Sequence, residues 1–174
     1  ILQDKLNLSS NCLAFDVGLG CSGYVYGLSI VASMISAGHL KKALLLVGDV
    51  SSSTVSLFDK STYPLFGDAG TATAIEFSEN SSGQFNMMSD GGGFETIIIR
   101  DGGIRNKVSK ESFDLKEIGE GISRRDLDLE LDGLEVYSFS VSKVPPLIKV
   151  LLKETNTMPE DYHYFVMHQA NRLM

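Results

Sequence analysis

Cysteine and histidine suit covalent and proton-transfer chemistry near neutral pH, and in this 174-residue chain one of each stands where a fold presents residues to a ligand. Cys21 lies in the turn Gly18-Leu19-Gly20-Cys21-Ser22-Gly23, between a short apolar run and a helical pattern. Glycines let backbone approach a ligand closely. Free N–H groups and the helix dipole at such a position favour a thiolate. The same groups, the Cys21 N–H among them, can receive a developing oxyanion. A cysteine is otherwise most often a small buried hydrophobe; that reading is kept for Cys12, while the glycines around Cys21 favour reactivity there. His168 closes the apolar run that starts at His163. Ligands gather beyond the carboxyl ends of strands in open α/β sheets, so Cys21 and His168 are offered to one region by independent elements. A histidine beside a cysteine assists a thiolate or donates to an oxyanion; an isolated one caps or bonds backbone, the reading given to His39 and His163.

The elements that must position these residues follow from periodicity. Residues 13–17 read as a buried strand. Tyr24, Leu28, Val31 and Ile35 then share one helix face, and Gly38 ends that helix. The apolar run 43–47 predicts a strand covered on both faces, completing a parallel strand–helix–strand crossover. Residues 51–64 read as polar loop, 71–77 as strand, 79–83 as a boundary and 94–99 as strand between glycine turns. From Lys107 to Leu131 the chain is charged and weakly periodic, which predicts a surface excursion, with the acidic stretch 126–132 as its solvated face. An amphipathic helix is expected from about Gly133 to Thr155, with Pro145-Pro146 kinking or restarting it. Residues 163–168 read as a last strand.

Composition narrows the function classes. Fifteen Lys+Arg against 22 Asp+Glu give a net charge of −7, which argues against a nucleic-acid partner because phosphate binding needs clustered cations. The 43% hydrophobic and 21% charged content is that of an ordinary globular chain. Two cysteines make no disulfide framework and point to a reducing, cytoplasmic setting. No run approaches the ~20 apolar residues of a membrane span, so a soluble protein without membrane partners is expected. No paired ligand spacing supports a metal site, and Gly91-Gly92-Gly93 lacks the lysine and spacing of a phosphate loop, so it reads as a turn. The chain opens on Ile1 rather than Met, and a piece of a longer polypeptide is expected.

Several stretches, in order, resemble the β-ketoacyl-acyl-carrier-protein synthase III family of the thiolase-like superfamily. Leu19-Gly20-Cys21-Ser22-Gly23-Tyr24 is similar to its nucleophile segment, and Leu65-Phe66-Gly67-Asp68-Ala69-Gly70-Thr71 to its F-G-D-G-A-G strand entry. Ser89-Asp90-Gly91, Gly102-Gly103-Ile104-Arg105 and Gly133-Leu134-Glu135-Val136-Tyr137-Ser138-Phe139 resemble the S-D-G, G-G-x-R and G-x-x-V-F-x-F markers, and His168-Gln169-Ala170-Asn171 matches H-Q-A-N.

The resemblance implies an α/β, thiolase-like fold of two similar halves, each present in part. Residues 1–80 would be the rear of the N-terminal half and 81–174 the front of the C-terminal half. It implies that Cys21 accepts an acyl group from acyl-coenzyme A as a thioester, and that malonyl-acyl-carrier-protein then condenses with it by decarboxylative Claisen chemistry in fatty acid biosynthesis. His168 would stabilise the enolate, and the Cys21 N–H would line the oxyanion hole. The coenzyme A thioester would be substrate, with no cofactor. The family's third catalytic residue, an asparagine, falls beyond Met174, and Asn171 belongs to the signature instead. Arg172 would contact the carrier protein, with Lys143, Lys149 and Lys153 adding a basic patch. A homodimer through the strand 71–77 is expected.

Three other readings stay open. A related acyltransferase or polyketide-type synthase would keep the Cys and His. A non-catalytic scaffold partner would need neither. A cysteine hydrolase would need an orienting partner for the histidine that no residue supplies.

Overall fold

The computed structural model describes residues 1–170. They form two compact units: Ile1–Val47 with Thr73–Phe77, and Gly48–Ala72 with the described residues from Ser78 on.

The first unit opens with a single helical turn, α1 (Leu2–Lys5), and is built on α2 (Gly23–Ser36). The helix ends where expected. The Gly38 N–H bonds Ile35 C=O at 2.9 Å and the His39 N–H bonds Met34 C=O at 3.0 Å, with Gly38 at φ +78, a left-handed turn only glycine adopts freely. Ile35 and Gly27 are buried on this helix. Gly27 is required by packing: a Cβ there would come within 2.8 Å of Leu45 Cδ1.

Leu45 lies on β1 (Lys42–Val50), which pairs with β2 (Asp68–Glu76). The Phe77 N–H bonds Lys41 C=O at 3.3 Å, Lys42 pairs with Glu76 at 3.3 Å, and Gly48 lies against Ala69 and Gly70, so the strands run antiparallel. Two expectations fail here. β1 alternates exposed and half-buried residues instead of being covered on both faces. Residues 13–17 are exposed and form no strand, so the parallel crossover is not formed among the described residues. A strand exists through ladder partners, and 13–17 have none among the described residues.

In the second unit β1 runs into a 3-10 turn at Ser51–Thr54. β3 (Ile97–Ile99) pairs antiparallel with β6 (Leu129–Leu131), Ile98 opposite Glu130. Between them β4 (Lys116–Gly119) and β5 (Ile122–Arg124) make a hairpin whose turn uses Gly121 at φ +69. The expected excursion at 107–131 therefore holds three strands. Its acidic stretch is not a solvated face, since Glu130 lies in β6 and Asp128 is 7% exposed.

The last helix, α3, spans Gly133–Thr155, as the periodicity predicts. Asp132 caps it, accepting the Leu134 and Glu135 N–H groups at 3.1 and 3.0 Å. Pro145 and Pro146 lie inside it without ending it. They remove the N–H partners of the Val141 and Ser142 carbonyls, on a helix with no buried residue, where water can serve those oxygens. Residues 163–168 form no strand, again for want of a ladder partner among the described residues. No helix among the described residues is long and apolar enough to cross a membrane.

Candidate active site

In the first unit, the Gly23 N–H reaches back to Gly20 C=O at 2.8 Å and closes a turn over Cys21 and Ser22. Ser22 is the residue from which α2 starts, its carbonyl taking the Tyr26 N–H at 3.1 Å. Cys21 thus stands two residues before the first helical residue, Gly23, with the cap Ser22 between them, just ahead of the helix as its sequence context predicts. Its thiol is free and exposed, and its N–H makes no hydrogen bond to a described residue. A Cβ added at Gly18 or Gly20 would meet nothing within 4 Å. Among the described residues these glycines therefore border open space. Cys12 is not the buried hydrophobe expected of it: it is exposed, its Sγ 3.6 Å from the Leu13 carbonyl.

In the second unit, the chain reaches His168 by a pinned path. Asn156, at φ 53, turns the chain out of α3, and the Thr157 N–H bonds Leu152 C=O at 3.0 Å. The Thr155, Thr157 and Tyr162 hydroxyls form a relay with O···O distances of 2.7 and 2.9 Å. The Tyr162 and Phe165 rings meet with centroids 5.8 Å apart. These contacts fix the chain to within three residues of His168, which is itself exposed. Cys21 and His168 belong to different units. Asn171 and Arg172 lie outside the described residues.

Of the expected basic patch, Lys143 is engaged by Asp90 at 3.2 Å. Asp90 also accepts the Gly92 N–H at 3.0 Å at the head of a 3-10 turn, Gly91–Gly93. The Gly92 N–H, then Lys143, hold its carboxyl below the ordinary carboxylate range.

The most constrained polar cluster was not anticipated from the sequence. Asp59 is fully buried and accepts the Ser61 N–H at 2.8 Å, the Ser61 hydroxyl at 2.5 Å and Arg124 Nη1 at 3.1 Å. Burial pushes its carboxyl up, but Ser61 and the Arg124 guanidinium outweigh that and leave it lowered. Around it the Ser56 hydroxyl donates to Ser123 C=O at 2.7 Å, the Lys60 N–H to Gly121 C=O at 3.0 Å, and the Ser123 N–H to Phe58 C=O at 2.9 Å. The hairpin β4–β5 is thereby clasped to residues 56–60. The readable signal was Asp59-Lys60-Ser61, the spacing of an aspartate that bonds backbone two residues on.

A cleft of about 390 Å³ beside this clasp is lined by Arg100, Arg124, Arg125, Asp126, Asp128 and Glu130. Its arginines are all paired, Arg100 to Glu130 at 3.0 Å, Arg124 to Asp59 at 3.1 Å and Arg125 to Asp128 at 3.2 Å, so it offers no unpaired cation to an anion.

Residues 15–91 match the family model described as 3-Oxoacyl-[acyl-carrier-protein (ACP)] synthase III. The chain is 33% identical to a putative 3-oxoacyl-[acyl-carrier-protein] synthase 3 of Campylobacter jejuni, over 98% of this chain and 48% of that protein. It is 34% identical to a beta-ketoacyl-[acyl-carrier-protein] synthase III of Acholeplasma laidlawii, with the same coverage of 98% and 48%. Among solved structures, a 3-oxoacyl-(acyl-carrier-protein) synthase III superposes with a TM-score of 0.95 at 37% identity, covering 99% of this chain and 52% of that one. A 3-oxoacyl-(acyl-carrier protein) synthase from Burkholderia xenovorans LB400 superposes with a TM-score of 0.82 at 36% identity, over 98% and 48%. The chain spans about half the length of the curated relatives it matches.

Proposed function

The chain belongs to the 3-oxoacyl-[acyl-carrier-protein] synthase III family, with its thiolase-like α/β fold, and on that premise we propose that Cys21 is the acyl-accepting nucleophile of a condensing enzyme. The observation that carries this reading is the setting of Cys21. Its exposed thiol, in no disulfide, and its N–H, which makes no hydrogen bond to a described residue, stand two residues before α2, where a Cβ added at Gly18 or Gly20 would meet nothing within 4 Å among the described residues.

In the proposed reaction the Cys21 thiolate attacks the carbonyl of an acyl-coenzyme A. The tetrahedral oxyanion is received by the Cys21 N–H, and the coenzyme A thiolate departs, leaving a thioester. Malonyl-acyl-carrier-protein then loses carbon dioxide, and its carbanion attacks the thioester to form the new carbon–carbon bond and release Cys21. His168 donates to the malonyl thioester oxygen while the enolate charge develops. No cofactor takes part. Residues 1–80 belong to the first half of the fold and 81–174 to the second, and the protein acts as a cytoplasmic homodimer.

Intact-mass analysis of the protein after incubation with a short-chain acyl-coenzyme A tests the assignment. One acyl group should appear on Cys21 and be absent from Cys21→Ser; equal acylation of that variant refutes the nucleophile. Release of carbon dioxide from malonyl thioester separates a condensing enzyme from a simple acyltransferase.

A further inference from the structure

Residues 163–168 make no hydrogen bond to a described residue, so the backbone that carries His168 depends for its place on the corner from which it springs. That corner lies at the C-terminal end of α3 and is closed by polar contacts. Asn156, at φ 53, turns the chain, and the Asn156 and Thr157 N–H groups return to the carbonyls of Lys153 and Leu152 at 3.2 and 3.0 Å. The Asp161 carboxylate then accepts the Met158 N–H at 2.8 Å, and the Asp161 N–H reaches back to Met158 C=O at 3.0 Å. This tight turn brings the Tyr162 hydroxyl onto that of Thr157.

The hydroxyl protons at this corner can run in only one direction. Each hydroxyl carries a single proton, and a carbonyl only accepts. The Thr155 hydroxyl donates to Leu151 C=O at 2.9 Å, with Leu152 C=O sharing the same proton at 3.2 Å. It can therefore only accept from Thr157, at 2.7 Å, and Thr157 in turn can only accept from Tyr162, at 2.9 Å. The Tyr162 O–H is thus the donor at the head of a chain that ends on carbonyls of α3, and each bond polarises the next. On its other side the Tyr162 ring meets that of Phe165, centroids 5.8 Å apart and planes inclined at 52°. Among the described residues, no hydrogen bond lies closer along the chain to His168 than those of Tyr162.

We propose that Tyr162 is a positioning residue for the condensation step, its hydroxyl setting, through Thr157 and Thr155, the distance and angle at which His168 meets the malonyl thioester oxygen. This rests on the reading of His168 as the donor to the enolate. A donor stabilises developing charge only where its geometry is already set, and a displacement of about 1 Å costs up to about a hundredfold in rate. Tyr162 lies six residues before His168, so loss of its hydroxyl loosens the imidazole without removing it.

Two partial reactions of the full-length protein test this. One is release of carbon dioxide from malonyl-acyl-carrier-protein, which uses His168; the other is acylation of Cys21 by a short-chain acyl-coenzyme A, which uses a residue of the first unit. Tyr162→Phe keeps the ring against Phe165. It should lower kcat for carbon dioxide release by about tenfold, leave KM for malonyl-acyl-carrier-protein within about twofold, and acylate normally. Thr157→Val should behave alike, the double variant should be no worse than either single one, and Thr157→Ser, which retains the hydroxyl, should retain the rate. In a His168→Ala background, Tyr162→Phe should cost nothing further. Unchanged kcat in Tyr162→Phe, where His168→Ala is itself slow, overturns the positioning role alone. So does a parallel fall of both partial reactions, the mark of a fold merely loosened, or a full further loss on top of His168→Ala. A His168→Ala protein that releases carbon dioxide at the unaltered rate brings down the donor reading of His168, and the positioning role with it.

Discussion

Removing Arg124 isolates the energetics of the clasp. Its guanidinium lies 3.1 Å from the carboxylate of Asp59, which is fully buried, and 3.8 Å from Glu130. Unit charges at that separation, in a medium of effective dielectric about 20, attract by about 5 kcal/mol. Desolvation offsets much of this in a well-made pair, but truncating one partner strands the other, at a cost of about 3–5 kcal/mol. Arg124→Met, which keeps much of the bulk and loses the charge, should therefore destabilise the clasp by that amount. Asp59→Asn should cost less, because an amide can still accept from Ser61. The double variant Asp59→Asn, Arg124→Met should recover part of the loss, giving a coupling energy well above 1 kcal/mol. Hydrogen exchange reads this locally. The Lys60 and Ser123 amides, bonded across the joint to Gly121 and Phe58, should exchange about a hundredfold faster in Arg124→Met, while the α2 amides are unchanged. A coupling energy below about 0.5 kcal/mol, or unaltered exchange at Lys60 and Ser123, would refute the idea that the ion pair seats the hairpin.

Two further outcomes follow from the same geometry. Because the Asp59 carboxyl is held below its ordinary value, its contribution to stability is present above the unfolded-state pKa of roughly 3.9 and is lost as pH falls through the lower folded value; the Lys60 and Ser123 amides should lose protection below about pH 4, and Asp59→Asn should flatten that dependence. Gly27→Val, which puts a Cβ 2.8 Å from Leu45 Cδ1, should destabilise the α2–β1 packing by about 1–3 kcal/mol in urea unfolding, and Leu45→Ala should relieve part of it.

The elements readable from the sequence were those specified by local pattern. α2 follows from apolar spacing ended by a capping glycine, α3 from apolar spacing alone, and β1 and β2 from strand-like runs. Apolar runs misled at 13–17 and 163–168, because a ladder is made with distant residues and no local pattern reports whether the partner is there. The β4–β5 hairpin went unseen for the opposite reason. Lys116-Glu117-Ile118-Gly119 and Ile122-Ser123-Arg124 carry no apolar alternation, since the hairpin is seated by Ser56, Asp59 and Ser123 rather than by a greasy face. At the site, the glycines around Cys21 announced the turn and the helix start. The pinning of the chain before His168 by Thr155, Thr157 and Tyr162 hydroxyls depends on a left-handed Asn156 that no periodicity announces.

The contrast between the two joints has a thermal consequence. Gly27 meets Leu45 through hydrocarbon, and apolar contact carries a large heat-capacity change and weakens on cooling. The seat of the hairpin is made of hydroxyls, amides and an ion pair, groups whose exposure changes heat capacity with the opposite sign. Chilling should therefore loosen α2 from β1 while the hairpin stays seated, so the two units of one chain have different temperatures of greatest firmness.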